Sequence, residues 1–137
     1  MSSLIIYGSG TIGEDRIITK DTPLTPDNFY GDSKKQAEIK IKPLEDEGFK
    51  IVIVRPPMIY GPESKGNYPL LAKFAKNTPI FPTLENKRSM LFLGNLMEFL
   101  KLMIDNIECG IYLPQNEEYV SSKELIKEIA KIHHHKI

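Results

Sequence analysis

Apolar positions along this chain fall into short runs of two different periods. Ser3-Leu4-Ile5-Ile6-Tyr7 is unbroken, β-branched and ended by Gly8, which predicts a strand buried on both faces. Phe49 to Val54 (FKIVIV) is a second such run, apolar throughout after Lys50 and followed at once by Arg55-Pro56-Pro57. Strands of this kind occupy the middle of parallel sheets. Arg88 to Leu93 and Gly110 to Leu113 predict two more strands. Helical spacing takes over in between. Asp27 or Asn28 can cap a helix carrying Tyr30, Lys34, Ala37, Glu38 and Ile41, which must kink or restart at Pro43 and is stopped by Gly48. Asn67 to Lys76 places Leu70, Leu71, Phe74 and Ala75 at the spacing of one face, and Asn95 caps a run through Met97, Phe99, Leu100, Met103 and Ile104. Ser121 or Ser122, followed by Glu124 and Glu128, starts a last helix with Leu125, Ile126, Ile129 and Ile132 on one side. Strand and helix therefore alternate along the chain. That order predicts an α/β layer fold, a mostly parallel sheet with flanking helices, as a single domain over 1–137. Gly8 to Pro26, with glycines and prolines among polar residues, predicts a long loop. Pro79 and Pro82 break the chain again.

Composition narrows the function classes. With 137 residues, 41% hydrophobic and 26% charged, the chain can bury roughly two thirds of its unfolded surface, which excludes a disordered or collagen-like protein. Eighteen basic residues balance eighteen acidic ones, so no net charge attracts nucleic acid or an anionic membrane. The single cysteine, Cys109, can close no internal disulfide, which suits a reducing compartment. Ser2 to Tyr7 is too short for a signal or spanning segment, and the default location is cytoplasmic.

Three clusters carry candidate chemistry. Gly8-Ser9-Gly10-Thr11-Ile12-Gly13 spells GxGxxG after an expected strand, but the β-branched and proline-bearing stretch that follows does not predict the helix such a phosphate cradle needs. A plain loop is the expectation. His133-His134-His135 are consecutive and lack acidic or cysteine partners, so no metal site is expected. Tyr30-Gly31-Asp32-Ser33-Lys34 puts Tyr30 and Lys34 four apart, on one face of a helix. An ammonium held near a tyrosine favours its phenolate, which can then accept a proton from a substrate hydroxyl. The spacing alone fits an accidental exposed pair better than a catalytic one.

Five segments taken together are more specific. In order they are Ser2-Ser3 with Tyr7-Gly8, Asp21-Thr22-Pro23-Leu24-Thr25-Pro26, Tyr30 to Lys34 with Ala37-Glu38, Arg55 to Pro62 (RPPMIYGP), and Arg88 to Leu96 (RSMLFLGNL). In this order they resemble the extended short-chain dehydrogenase/reductase family, the NAD-dependent sugar-nucleotide epimerases and dehydratases, over essentially the whole chain. The resemblance implies a partial Rossmann-like sheet plus a small substrate-binding subregion. It also implies a catalytic set: Ser3 to hydrogen-bond the reacting oxygen, Tyr30 as acid/base, and Lys34 to hold the nicotinamide ribose and assist Tyr30. Pro57 falls where the family sets backbone against nicotinamide. Arg88 and Asn67 fall where it grips a nucleotide-sugar diphosphate, a task that suits a bidentate guanidinium. Read without the family, Ser3 fits a polar strand terminus, Pro57 a rigid strand exit, Arg88 a strand-edge arginine and Asn67 a helix cap.

Two departures matter. Met58 stands where the family usually has asparagine, and Asn95 where aspartate is frequent. Family members also begin with a glycine-rich turn and further βα units that bind the ADP half of NAD, all of which would precede Ser2. The resemblance thus implies that the chain corresponds to the C-terminal portion of such an enzyme. The expectation is an epimerase of the UDP-glucose/UDP-galactose 4-epimerase type, truncated, with weak NAD binding and little activity alone, able to self-associate through faces the lost part would cover. The alternatives are a related dehydratase or reductase, or a non-catalytic module that binds a nucleotide-diphosphate sugar or assembles with a partner.

Overall fold

The structure is a computed structural model of the chain and describes residues 1–11, 14–63, 65, 67–77 and 86–132. In chain order its regular elements are α1 (Phe29–Ile41), β1 (Val52–Val54), β2 (Met58–Tyr60), α2 (Asn67–Asn77), β3 (Met90–Phe92), α3 (Leu93–Asp105), β4 (Gly110–Tyr112) and α4 (Ser122–Ile132), with 3₁₀ turns at Leu4–Tyr7 and Lys42–Leu44. Helices and parallel strands are interspersed as the hydrophobic pattern predicts, except that β2 follows β1 with no helix between and, among the described residues, no strand precedes α1. The described residues group into two compact units, Met1–Pro57 with Asn95–Pro114, and Met58–Gly94 with Gln115–Ile137. Among them no helix is long and apolar enough to cross a membrane.

In the first unit β1 and β4 pair in parallel, Val52 opposite Gly110 and Val54 opposite Tyr112. The chain start extends this sheet: Ser2 N–H donates to the Val54 carbonyl at 2.7 Å and Leu4 N–H to the Pro56 carbonyl at 3.1 Å. Ile6, Tyr7, Ile51, Ile53, Val54 and Leu96 are buried here, and the Phe99 ring meets the Tyr112 ring edge-on at 5.8 Å. Met1, Val52, Val54, Leu100, Met103, Ile104 and Ile107, with Lys50 and Glu108, line an open cavity of about 500 Å³.

In the second unit β2 and β3 pair in parallel, Met58 opposite Met90 and Tyr60 opposite Phe92. Its apolar seat lies between two helices. Ile126 and Ile129 of α4 pack on Ala75 of α2, with Leu71, Ala72 and Leu125 around them. The turn before α4 is a reciprocal cap, Glu124 N–H to Ser121 Oγ at 3.0 Å and Ser121 N–H to Glu124 Oε2 at 3.1 Å.

Several expectations are corrected. Ser3 to Tyr7 does not continue as a strand. Beyond Leu4 the backbone tightens into a 3₁₀ turn, because Ser3 Oγ accepts the Ile5 N–H at 3.3 Å and Gly8, at φ 74°, closes the turn with its N–H on the Ile5 carbonyl at 3.0 Å. The Phe49–Val54 strand shortens to β1 because Asp46 Oδ1 takes the N–H groups of both Gly48 and Phe49 at 2.8 Å, holding Phe49 exposed in a turn. The α1 segment restarts as 3₁₀ at Pro43, as expected, but ends at Leu44 rather than at Gly48. β2 was not foreseen: three residues behind two prolines are too short to show a period. α3 begins at Leu93, directly out of β3 and two residues ahead of the expected Asn95 cap. Of the GxGxxG stretch, Ile12 and Gly13 lie outside the described residues, as do Pro79, Pro82 and His133 to His135. Among the described residues from Gly8 to Pro26 there is no helix or strand, in keeping with the loop expectation.

Candidate active site

Ser3 stands where the extended chain start turns over. Its backbone is extended, and its hydroxyl caps the Leu4–Tyr7 turn. α1 packs against that turn. The approach is close at one point: a Cβ on Gly31 would lie 3.0 Å from both the Ile5 carbonyl oxygen and Pro26 Cβ, so only glycine lets the helix come this near without displacing them. Asn28 starts α1 by accepting the Gly31 N–H on Oδ1 at 2.8 Å. Tyr30 follows in the first turn with its side chain 55% exposed, available to a ligand. One helical turn on, Lys34 Nζ lies 5.5 Å from the centre of the Tyr30 ring and 3.4 Å from the Met1 carbonyl. Pro57 is half-buried and directly follows Pro56, whose carbonyl holds Leu4.

The structure therefore brings Tyr30 and Lys34 together on one helix face and sets that helix on the turn that Ser3 caps. Asn67, the first residue of α2, and Arg88, exposed at an antiparallel bridge to Val120, belong to the second unit. Arg88 exchanges both backbone bonds with Val120 at 2.9 Å. Met58 opens β2 half-buried.

Sequence reasoning missed one polar cluster. Arg55, 3% exposed, donates from Nε to Glu38 Oε1 at 3.0 Å, from one terminal nitrogen to Glu38 Oε2 at 2.5 Å, and from the other to the Tyr7 hydroxyl at 2.6 Å. Burial pushes the Glu38 carboxyl up, but the hydrogen bonds and charge of Arg55 outweigh it and hold the group below the usual carboxylate range, with the Ser2 hydroxyl acting in the same direction. Burial likewise opposes the charge on Arg55, and Glu38 more than restores it, raising the guanidinium. The signal that could have found the cluster is the spacing Tyr30, Lys34, Glu38, which puts a third polar residue on the same helical stripe.

Comparison with known proteins places these residues in context. The sequence pattern of the NAD dependent epimerase/dehydratase family matches residues 1–130. The UDP-glucose 4-epimerase of Vibrio cholerae is 30% identical over 136 residues, covering 95% of this chain and 41% of that protein. An N-acetyl-alpha-D-glucosaminyl-diphospho-ditrans,octacis-undecaprenol 4-epimerase of Escherichia coli O157:H7 is 29% identical over 135 residues, covering 93% of this chain and 40% of its own length. Among solved structures, RMD from Pseudomonas aeruginosa, complexed with NADPH, superposes with a TM-score of 0.80 at 21% identity, over 99% of this chain and 50% of that one. DesIV, the dTDP-glucose 4,6-dehydratase of Streptomyces venezuelae with NAD and TYD bound, gives 0.79 at 20% identity, over 98% and 43%. The chain thus spans about two fifths of the length of the curated relatives it matches.

Proposed function

From the premise that this chain belongs to the NAD dependent epimerase/dehydratase family, we propose that it carries the proton-transfer centre of a nucleotide-sugar 4-epimerase of the UDP-glucose/UDP-galactose type. One observation supports this above the rest: the Lys34 ammonium sits 5.5 Å from the Tyr30 ring, on a helix seated against the Ser3 turn. Tyr30 takes the proton from the sugar 4-hydroxyl and returns it after the ring has turned over. Ser3 donates its hydroxyl hydrogen to the same oxygen while its Oγ goes on accepting the Ile5 N–H. Arg88 and Asn67 hold the diphosphate of the substrate, the first through a bidentate fork.

The residues fit only part of the cofactor. Lys34, with three N–H donors, and Tyr30 suit the ribose hydroxyls of the nicotinamide end, and Pro57 supplies backbone beside it. The described part of the Gly8–Gly13 stretch opens no helix and does not suit the pyrophosphate. When bound, NAD supplies the hydride acceptor and donor for C4 of the sugar. Interconversion of UDP-galactose and UDP-glucose with added NAD tests the reading. Tyr30→Phe is expected to lower any turnover by about 10²-fold or more, and unchanged turnover overturns the assignment.

A second reading, a module that binds a nucleotide-diphosphate sugar or a partner without turnover, draws on the lack of a helix among the described residues of that stretch. Titration calorimetry separates the two. Micromolar binding of NAD by the chain argues against the module, and UDP binding without NAD binding supports it.

A further inference from the structure

Of the thirteen residues of α1, only Gly31 and Glu38 are buried, while Phe29, Ile39 and Ile41 are exposed. A surface helix is ordinarily fixed by an apolar stripe that faces the core. This one has no such stripe, yet it carries the residues whose placement the proposed reaction depends on. Two lysines tie it to backbone carbonyls, Lys34 to Met1 at 3.4 Å and Lys35 to Leu24 at 3.2 Å, but its buried fixed points are the glycine gap against Ile5 and Pro26 and the ion pair of Glu38 with Arg55. Tyr30, Lys34 and Glu38 are spaced by four along one stripe, so a clamp at Glu38 sets the rotation of the other two.

Arg55 is itself held from several sides. Its N–H donates to the Tyr112 carbonyl at 2.9 Å where β1 ends, and one terminal nitrogen reaches both the Tyr7 hydroxyl and the Lys20 carbonyl, the latter at 3.5 Å. Tyr7, fully buried, is the last residue of the turn that Ser3 caps. One guanidinium thus joins the helix of Tyr30 and Lys34, the turn of Ser3 and the strand exit that leads to Pro57. A merely stabilising pair is an inefficient use of a buried site, since desolvation offsets much of the attraction between the charges. A fixed planar fork gives orientation instead.

We infer that Glu38, Arg55 and Tyr7 form a positioning clamp that sets the rotation and tilt of α1 against the Leu4–Tyr7 turn, and with them where the helix presents Tyr30 and Lys34. The inference rests on the catalytic reading of Tyr30 for its purpose, but its geometry is tested separately. Residual dipolar couplings of the amides of α1, β1 and β4 in the full chain report the orientation of the helix against the sheet, and nuclear Overhauser contacts report Gly31 against Ile5 and Tyr30 against Lys34. In Glu38→Gln, which keeps shape and removes charge, the β1 and β4 couplings should persist while those of α1 change or average out, and the Gly31–Ile5 contact should weaken about twofold or more. Tyr7→Phe, which keeps the ring and removes one hydroxyl, should shift α1 in the same direction by less, and it decides the matter if Glu38→Gln does not fold. Ile129→Val, a packing change between α2 and α4, should leave the α1 couplings unchanged. A lower melting temperature with unchanged α1 couplings in the folded variants overturns the clamp. A Tyr30→Phe chain that keeps full turnover overturns the catalytic reading and leaves the orientation result standing, so the two failures are distinguishable.

Discussion

Gly8 combines two constraints at a single residue. Its backbone, at φ 74° and ψ 173°, lies in a region that side-chain-bearing residues avoid, and a Cβ there would lie 2.3 Å from the Thr25 carbonyl oxygen. Gly8→Ala must therefore displace the Thr25 segment, and we expect a loss of at least about 2 kcal/mol in urea unfolding. Glu38 makes a pH prediction. Its folded value lies below its unfolded one, so its contribution is full above the ordinary glutamate range, near about pH 4.3, and is lost as pH falls through the lower folded value. The gap in melting temperature between the wild type and Glu38→Gln should be wide at about pH 6 and shrink towards about pH 3. A gap that does not change with pH contradicts this. The residue scale also marks what the sequence could reveal. Tyr30 and Lys34 were legible because four residues on a helix is a local relation that the chain states directly. Arg55 and Glu38 are seventeen residues apart, in different elements, and nothing local couples them.

At the scale of elements, α4 was the most legible. Its apolar residues recur at helical spacing, Ser121 and Glu124 announce its start, and the structure begins it at Ser122. Ser121→Ala removes one side of the reciprocal cap and should cost about 1 kcal/mol. Ile126, 1% exposed in the seat on α2, is a heavier loss: Ile126→Ala should cost about 3 kcal/mol by leaving a cavity beside Ala75 and Ile129. Chemical denaturation of both variants checks the ranking, and a larger effect at Ser121 would contradict it. The illegible elements share a physical reason. β2 has three residues and begins directly after Pro56-Pro57, so period and propensity have little to act on, whereas β3 falls inside the strand expected over Arg88 to Leu93. The chain start reads as β-branched strand, yet two local hydrogen bonds, one accepted by the Ser3 hydroxyl and one donated by the Gly8 N–H, redirect it from Leu4 on. Propensity is a weak prior where capping chemistry is on hand.

For the whole molecule, the pattern gave the interspersed helices and parallel strands, and the five ordered segments gave the family, because both are spread along the entire chain. The open cavity was not legible, since it depends on which faces of α3 and β1 remain uncovered. Lined by Met1, Val52, Val54, Leu100, Met103, Ile104 and Ile107 together with the charged Lys50 and Glu108, it is a mainly apolar surface in contact with water, with Ile104 and Ile107 largely exposed. The native chain should enhance the fluorescence of an anilinonaphthalene dye, and Met103→Lys should reduce that signal on the order of twofold without unfolding the chain. An equal signal from the variant would place the dye elsewhere. The hold on α1 has a thermal consequence of its own. Apolar association fades on cooling, and the seat of α4 on α2 is built from alanine, isoleucine and leucine. α1 is held by an ion pair, by hydrogen bonds from Lys34 and Lys35 to backbone carbonyls and at a glycine gap, on which cooling has no such effect. Near freezing, the part of this protein that loosens first should be the α2–α4 seat, and not the helix that carries Tyr30.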